Sequence, residues 1–144
     1  MNLVPNFYSA TKGQVLIDGV NADEYDRAAL LSAVSVVPQK AVLFEGTIRS
    51  NLLMGNPNAS EAELFSALET AQAAEIVRTK PNGIDEPVLR GGSNFSGGQK
   101  QRLSIARALV HGGRILILDD SASALDFATD AKLRAAIRKL SPAP

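Results

Sequence analysis

Apolar positions in this chain fall into short blocks with different periods. Val15-Leu16-Ile17 is a brief apolar run closed by Asp18-Gly19, a strong turn signal, and it predicts a strand. Residues 33–37 form a second run, rich in β-branched side chains and ended by Pro38. Ile115-Leu116-Ile117-Leu118 is a third, and both read as buried strands. Helical spacing takes over at Leu64, Ala67, Leu68, Ala71 and Ala74. Ahead of them stand Ser60 and Glu63, whose side chains can satisfy each other's free backbone N–H groups in a capping box. That stripe reads as core without chemistry, and Pro81-Asn82-Gly83 is predicted to stop its helix. Residues 102–110 present a wide apolar face before Gly112-Gly113 ends the helix. Residues 128–140 predict a basic, amphipathic helix stopped by Pro142, and Thr47 starts another helix as its N-cap. Turns at Thr11-Lys12-Gly13-Gln14 and Asn56-Pro57-Asn58 separate these blocks.

Composition narrows the classes. A length of 144 residues makes one domain the default, and 15 basic against 15 acidic side chains leave no long basic block that would argue for nucleic acid. No apolar run approaches the roughly 18 residues of a membrane span, and Met1 opens no signal-peptide pattern. The absence of cysteine excludes a disulfide framework and thiolate metal sites, and fits a cytosolic domain.

Candidate chemistry gathers in residues 94–126. Ser96-Gly97-Gly98-Gln99 opens the helix at 102–110, and helix N-termini bind anions because unpaired N–H groups and the dipole point at the ligand. Ser96 with Gln99 alone spells an ordinary capping box. The glycines tip the reading: each is roughly 1 kcal/mol worse than alanine in a helix, and two in a first turn make sense where something approaches the backbone closely. The strand at 115–118 ends on Asp119 and Asp120, and carboxylates there suit a hard cation such as Mg²⁺ beside phosphate oxygens. Gln39 follows the strand at 33–37, at the carboxyl end where α/β sheets place ligands. His111, the one histidine, reads as a surface residue near the negative end of its helix.

The order Asn94-Phe95-Ser96-Gly97-Gly98-Gln99, four apolar residues with Asp119-Asp120, then Ser123-Ala124-Leu125-Asp126, resembles the nucleotide-binding domain of an ABC (ATP-binding cassette) transporter over roughly residues 3–140. The resemblance implies an α/β fold: a partial P-loop NTPase core with a complete α-helical subdomain. It makes Ser96, Gly97, Gly98 and Gln99 most of the signature, which acts in trans on a nucleotide held mainly by a second, head-to-tail nucleotide-binding domain. Residues 115–119 would be the Walker B strand, with Asp119 anchoring Mg²⁺ through water. Gln39 would be the Q-loop glutamine that reaches Mg²⁺ and the attacking water. Ser123, Ala124, Leu125 and Asp126 would be the D-loop, with Asp126 contacting the partner's site. The string from Leu43 to Asn51, Leu-Phe-Glu-Gly-Thr-Ile-Arg-Ser-Asn, is similar to the start of the helical subdomain in ABC exporters, where it packs below the membrane domain. The family also places a short helix at 27–32, capped by Asp26.

Departures from the family pattern carry consequences. Phe95 stands where leucine is commoner, and Leu89 and Arg90 replace a usual glycine and glutamate in a loop that touches the membrane domain. Asp120 occupies the position of the catalytic glutamate; aspartate there marks the degenerate half of heterodimeric exporters. No Gly-x4-Gly-Lys occurs in the chain, and a P-loop NTPase needs one. The chain therefore reads as an internal fragment of an exporter, inactive alone, with partial core at 1–39 and 106–144 and the helical subdomain at 40–105. The implied cofactors are ATP and Mg²⁺. The implied partners are a second nucleotide-binding domain and a transmembrane domain, with no nucleic acid. The intact transporter would sit at the cytoplasmic face of the cell membrane, the chain itself being soluble. Apolar sheet edges predict self-association or marginal stability. A non-catalytic module that lends its signature face to a partner ATPase is the competing reading. A DNA-repair or translation ATPase fits less well, given the exporter-like stretch from Gln39 to Asn51.

Overall fold

The computed structural model describes residues 3–120 and 124–140. Its first element is a small antiparallel hairpin, β1 (Leu16–Ile17) and β2 (Val20–Asn21). Asp18 and Gly19 between them take φ of 50° and 82°, the left-handed pair that lets a two-residue turn follow strand twist. The helix α1 (Arg27–Ala33) starts at Asp26, whose carboxylate accepts the Ala29 N–H at 2.9 Å. It runs straight into β3 (Val34–Val37).

Strand β3 pairs in parallel with β6 (Ile115–Leu118), Val34 opposite Ile115 and Val37 opposite Leu118. The close packing that leads into this pair explains Gly113. A Cβ there would stand 2.7 Å from Ser35 Oγ and 2.8 Å from the Ser35 nitrogen, and the Gly113 N–H instead donates to that hydroxyl at 3.2 Å. Leu30, Val34 and Ile117 form a small apolar cluster on one side of this sheet.

The larger core belongs to the helices. A second antiparallel pair, β4 (Gly46–Thr47) with β5 (Pro87–Val88), frames α2 (Ile48–Leu53), α3 (Glu61–Thr70) and α4 (Ala74–Arg78). Both predicted starts hold: Thr47 caps α2 in a box with Ser50, and Ser60 caps α3 in a box with Glu63. The stripe from Leu64 to Ala74 is core, but it is not one helix. Gln72 turns left-handed at φ 58°, Ala73 N–H reaches back to the Leu68 carbonyl at 2.7 Å, and the chain restarts as α4. Arg102 fixes the break by donating from Nη1 to the Gln72 carbonyl at 2.8 Å.

The long helix α5 (Gly97–His111) lies through this core, against α2, α3 and β3, with Leu103 and Ile105 buried. Gly112, left-handed at φ 73°, ends it as the sequence predicts. The last helix, α6 (Phe127–Ile137), covers α3 through the buried Leu133. Among the described residues, no helix is long and apolar enough to cross a membrane.

Candidate functional site

Strand register builds the first half of the site. The β3–β6 ladder continues one step past its last pair, where the Asp119 N–H donates to the Val37 carbonyl at 3.0 Å. Two residues past the end of each strand, Gln39 Nε2 donates to Asp120 Oδ2 at 2.9 Å. Two side chains 81 residues apart thus meet where ligands bind α/β sheets. Asp119 is half-buried beside them and Asp120 is exposed. Asp120 takes φ 47°, a left-handed conformation that aspartate and asparagine adopt more readily than other side chains.

The second half is the start of α5. Ser96 Oγ accepts the Gln99 N–H at 3.2 Å, and Gln99 Oε1 accepts the Ser96 N–H at 3.0 Å. Ser96 and Gly97 are exposed, Gly98 and Gln99 half-buried, so the turn is open to an approaching molecule. The two glycines have different reasons. A Cβ on Gly97 would meet nothing within 4 Å, whereas one on Gly98 would stand 3.0 Å from the Ala124 carbonyl. The close approach at Gly98 comes from this chain's own loop. Leu125 is half-buried and packs on the main core. Asp126 caps α6, accepting the Thr129 N–H at 2.9 Å and the Thr129 hydroxyl at 2.7 Å; the hydroxyl bond first, then the backbone bond, holds its carboxyl below the usual range. Ser123 lies outside the described residues.

The loop ahead of Ser96 is pinned. Asn94 donates to the Pro87 carbonyl at 2.8 Å and accepts the Leu89 N–H at 3.1 Å, which ties the turn to β5. Phe95 is buried, and Lys80 Nζ sits 4.8 Å from its ring centroid. Leu89 and Arg90, the two departures in this loop, are both exposed.

Local reasoning missed a groove of about 310 Å³ between α1–β3 and the α2–α5 pair, lined among others by Phe7, Phe44, Met54, Ser104, Arg107 and His111. Phe7, Phe44 and Met54 are exposed apolar residues on it. Arg107 donates from Nη2 to the Val42 carbonyl at 3.1 Å and stands 5.5 Å from the Phe44 centroid, while Nη1 and Ser104 Oγ are buried without a hydrogen-bond partner. Burial pushes the Arg107 pKa down. His111 departs from its sequence reading: it is half-buried, with Nδ1 3.2 Å from the Gly55 carbonyl and Nε2 3.2 Å from the Leu31 carbonyl. The sequence signal for this groove is slight, since Ser104 and Arg107 sit one turn apart in an apolar run.

The residues present suit a hard cation and a polyphosphate in kind. Asp119 and Gln39 offer carboxylate and amide oxygens, the donors Mg²⁺ takes alongside water and phosphate. Among the described residues, no cluster of three or more His, Asp or Glu side chains forms a cage by itself. The open capped turn at Ser96 and Gly97 suits an anion.

Comparison with known proteins follows the same lines. The family model described as ABC transporter matches residues 1–123. The ABC transporter ATP-binding protein YwjA of Bacillus subtilis, itself uncharacterized, is 41% identical over 140 residues, covering 97% of this chain and 24% of that protein. A Staphylococcus aureus protein named for multidrug export, as an ATP-binding/permease protein, is 40% identical over 141 residues, covering 98% of this chain and 24% of its own length. A solved bacterial Atm1-family ABC exporter with ATP bound superposes with a TM-score of 0.91 at 36% identity, over 99% of this chain and 25% of that one. The chain spans about a quarter of the length of each.

Proposed function

Since the chain belongs to the ABC transporter family, we propose that it is part of the ATP-binding domain of an exporter, which couples ATP hydrolysis to transport across a membrane. The observation that carries this reading is the pairing of Gln39 with Asp120 at the carboxyl ends of two parallel strands, in a chain that also presents the open turn at Ser96 and Gly97. On this reading, residues 1–39 and 106–144 contribute to the ATPase core and 40–105 form the helical subdomain, with α5 running through the second boundary.

Asp119 and Gln39 would hold Mg²⁺, which supplies charge neutralisation on the phosphates. Asp120 is the base toward the attacking water. Ser96 and Gln99 hold the signature turn through their capping box, so that the N–H groups of Gly97 and Gly98 face the terminal phosphate of a nucleotide on a second domain, and Ala124, Leu125 and Asp126 face that domain beside them. The transmembrane domain is the partner for the groove edged by Phe7, Phe44 and Met54, whose exposed apolar side chains favour a protein contact. The intact protein would then work at the cytoplasmic face of a membrane.

Aspartate at 120 reaches about 1.5 Å less far than glutamate, one methylene, and a general base must come within about 3 Å of its proton. This supports a heterodimer in which the domain carrying Asp120 hydrolyses slowly and lends its signature to the partner. In the full-length transporter beside its partner, Asp120→Glu should raise ATP hydrolysis, and an unchanged rate counts against the degenerate site. A second reading, a non-catalytic module that offers its signature face to another ATPase, is favoured by the open turn at Ser96 and Gly97 together with an aspartate at 120 in place of the glutamate base. Finding Gly-x4-Gly-Lys upstream in the same gene product, after membrane-spanning segments, would exclude it.

A further inference from the structure

The segment that carries Gln39 is gripped at both ends by α5. Gln101 is 1% exposed, and its Nε2 faces the Pro38 carbonyl at 3.5 Å, one residue before Gln39. Arg107, six residues on, donates to the Val42 carbonyl at 3.1 Å, three residues after Gln39. Six residues of helix rise about 9 Å, so residues 38–42 arch along α5 with a donor at each foot. Gln39 itself is exposed, and its amide points away to Asp120.

We propose that Gln101 and Arg107 are positioning residues for Gln39, setting the loop so that its amide meets the end of β6. Neither touches the nucleotide in the reading above; both act through the backbone carbonyls that flank the glutamine. The chemistry suits the task. A fully buried amide has no reason to be polar unless it satisfies a partner, and a leucine or methionine would fill the same space without the cost of desolvation. A guanidinium partly stripped of water is retained because its planar fork holds a carbonyl and an aromatic ring together, here Val42 and Phe44. The same helix begins with Ser96, Gly97, Gly98 and Gln99, so one rigid rod carries the turn that faces a second domain's nucleotide and the donors that aim Gln39 at this domain's own strand ends. A shift of α5 at either place is felt at the other.

The inference rests on Gln39 acting at the nucleotide, and its test separates the two. In the 144-residue chain labelled with ¹⁵N and ¹³C, Asp120→Asn identifies the side-chain amide signals of Gln39 and shows where they move when the carboxylate is lost. Gln101→Met and Arg107→Lys, which keep volume and charge respectively, should each move those signals toward the Asp120→Asn positions, with the methyl signals of Leu64 and Leu68 unchanged. Gln39 signals that stay in place in both variants overturn the proposal. If Gln101→Met disperses the core signals, Arg107→Lys decides. In the full-length transporter with hydrolysis at the partner's site disabled, the same variants should lower the remaining kcat, by up to about a hundredfold for an ångström-scale misplacement, and leave KM for ATP unchanged; a raised KM at constant kcat overturns a positioning role. A native transporter that hydrolyses no ATP refutes the function proposed above and leaves the chain's spectra to decide the role of α5.

Discussion

Gly97→Ala should stabilise the folded chain and damage the intact transporter. The backbone at Gly97 is helical, absent from the residues with positive φ, so alanine fits without strain. Its Cβ would meet nothing within 4 Å. Alanine is better than glycine by roughly 1 kcal/mol inside a helix, chiefly through the lost freedom of the unfolded chain. At the first helical position we take about half, ~0.5 kcal/mol, which for a chain of this size raises Tm by about 2 °C. The new methyl, however, stands in open space, where on the proposed function a phosphate would reach the turn, so ATP hydrolysis by the transporter should fall. Gly98→Ala is the control. Its methyl would press on the Ala124 carbonyl at 3.0 Å, and that contact offsets the helix gain, leaving Tm at or below the native value. Thermal unfolding by circular dichroism and ATPase assays of the full-length protein read both effects. A Tm lowered by several degrees in Gly97→Ala would show that the fold itself needs this glycine. A raised Tm with full hydrolysis would show that nothing approaches the turn.

Three further outcomes are expected. Asn51, 2% exposed, accepts the Phe44 N–H at 2.8 Å and donates to the Phe44 and Thr47 carbonyls at 2.8 and 2.9 Å; Asn51→Ala should lose about 3 kcal/mol in denaturant unfolding, since a buried amide gives up three hydrogen bonds to the backbone, and a loss below about 1 kcal/mol would refute that role. Glu63, Asp85 and Asp126 titrate below their ordinary 4.5, 3.8 and 3.8, through the Ser60 hydroxyl, the Arg49 guanidinium and the Thr129 hydroxyl first. Folded values below unfolded ones mean that their stabilisation is complete above those ordinary values and is lost as pH falls through the depressed ones, so Tm should hold down to about pH 5 and then drop; a chain most stable at pH 3 contradicts this. Without Gly-x4-Gly-Lys, the 144-residue chain should bind Mg-ATP weakly or not at all in calorimetry, and nanomolar or low-micromolar affinity would overturn the reading.

Short-range chemistry was legible and long-range chemistry was not. The capping pair Ser60 with Glu63, Ser96 with Gln99, the N-cap Thr47 and the stop at Gly112 each involve residues within a few positions of each other, so spacing exposes them, whereas the cap at Asp26 came with the family resemblance. The strand runs were visible as well, because burial demands apolar side chains. Their partners were not: β3 meets β6 across some 80 residues, and the Gln39–Asp120 bond follows from that register. The break at Gln72 hides inside a sound helical stripe because it is imposed from outside, by Arg102 thirty residues later. His111 looked like a surface residue because both carbonyls it faces belong to distant backbone, which leaves no trace in side-chain patterns. The crowding of Gly98 by the Ala124 carbonyl was hidden likewise, since that carbonyl belongs to backbone 26 residues further on.

Asp120 has two physical explanations that predict different results for one substitution. Catalysis explains the aspartate as a base set too far back. The backbone explains it differently: φ of 47° disfavours side chains other than glycine, asparagine and aspartate, and holding glutamate there costs on the order of 1 kcal/mol or more. If the backbone is the reason, Asp120→Glu lowers Tm and leaves hydrolysis per folded transporter unchanged, whereas Asp120→Asn keeps Tm near native because asparagine accepts the same conformation. If the reach of the base is the reason, Asp120→Glu raises hydrolysis whatever it does to Tm, and Asp120→Asn abolishes the residual activity of this site. Measuring Tm and ATP hydrolysis on both variants separates the two, because a backbone requirement cannot raise a rate and a longer base cannot do so without reaching the water. A glutamate variant that melts at the native temperature and hydrolyses no faster would refute both accounts of why this strand ends on two aspartates.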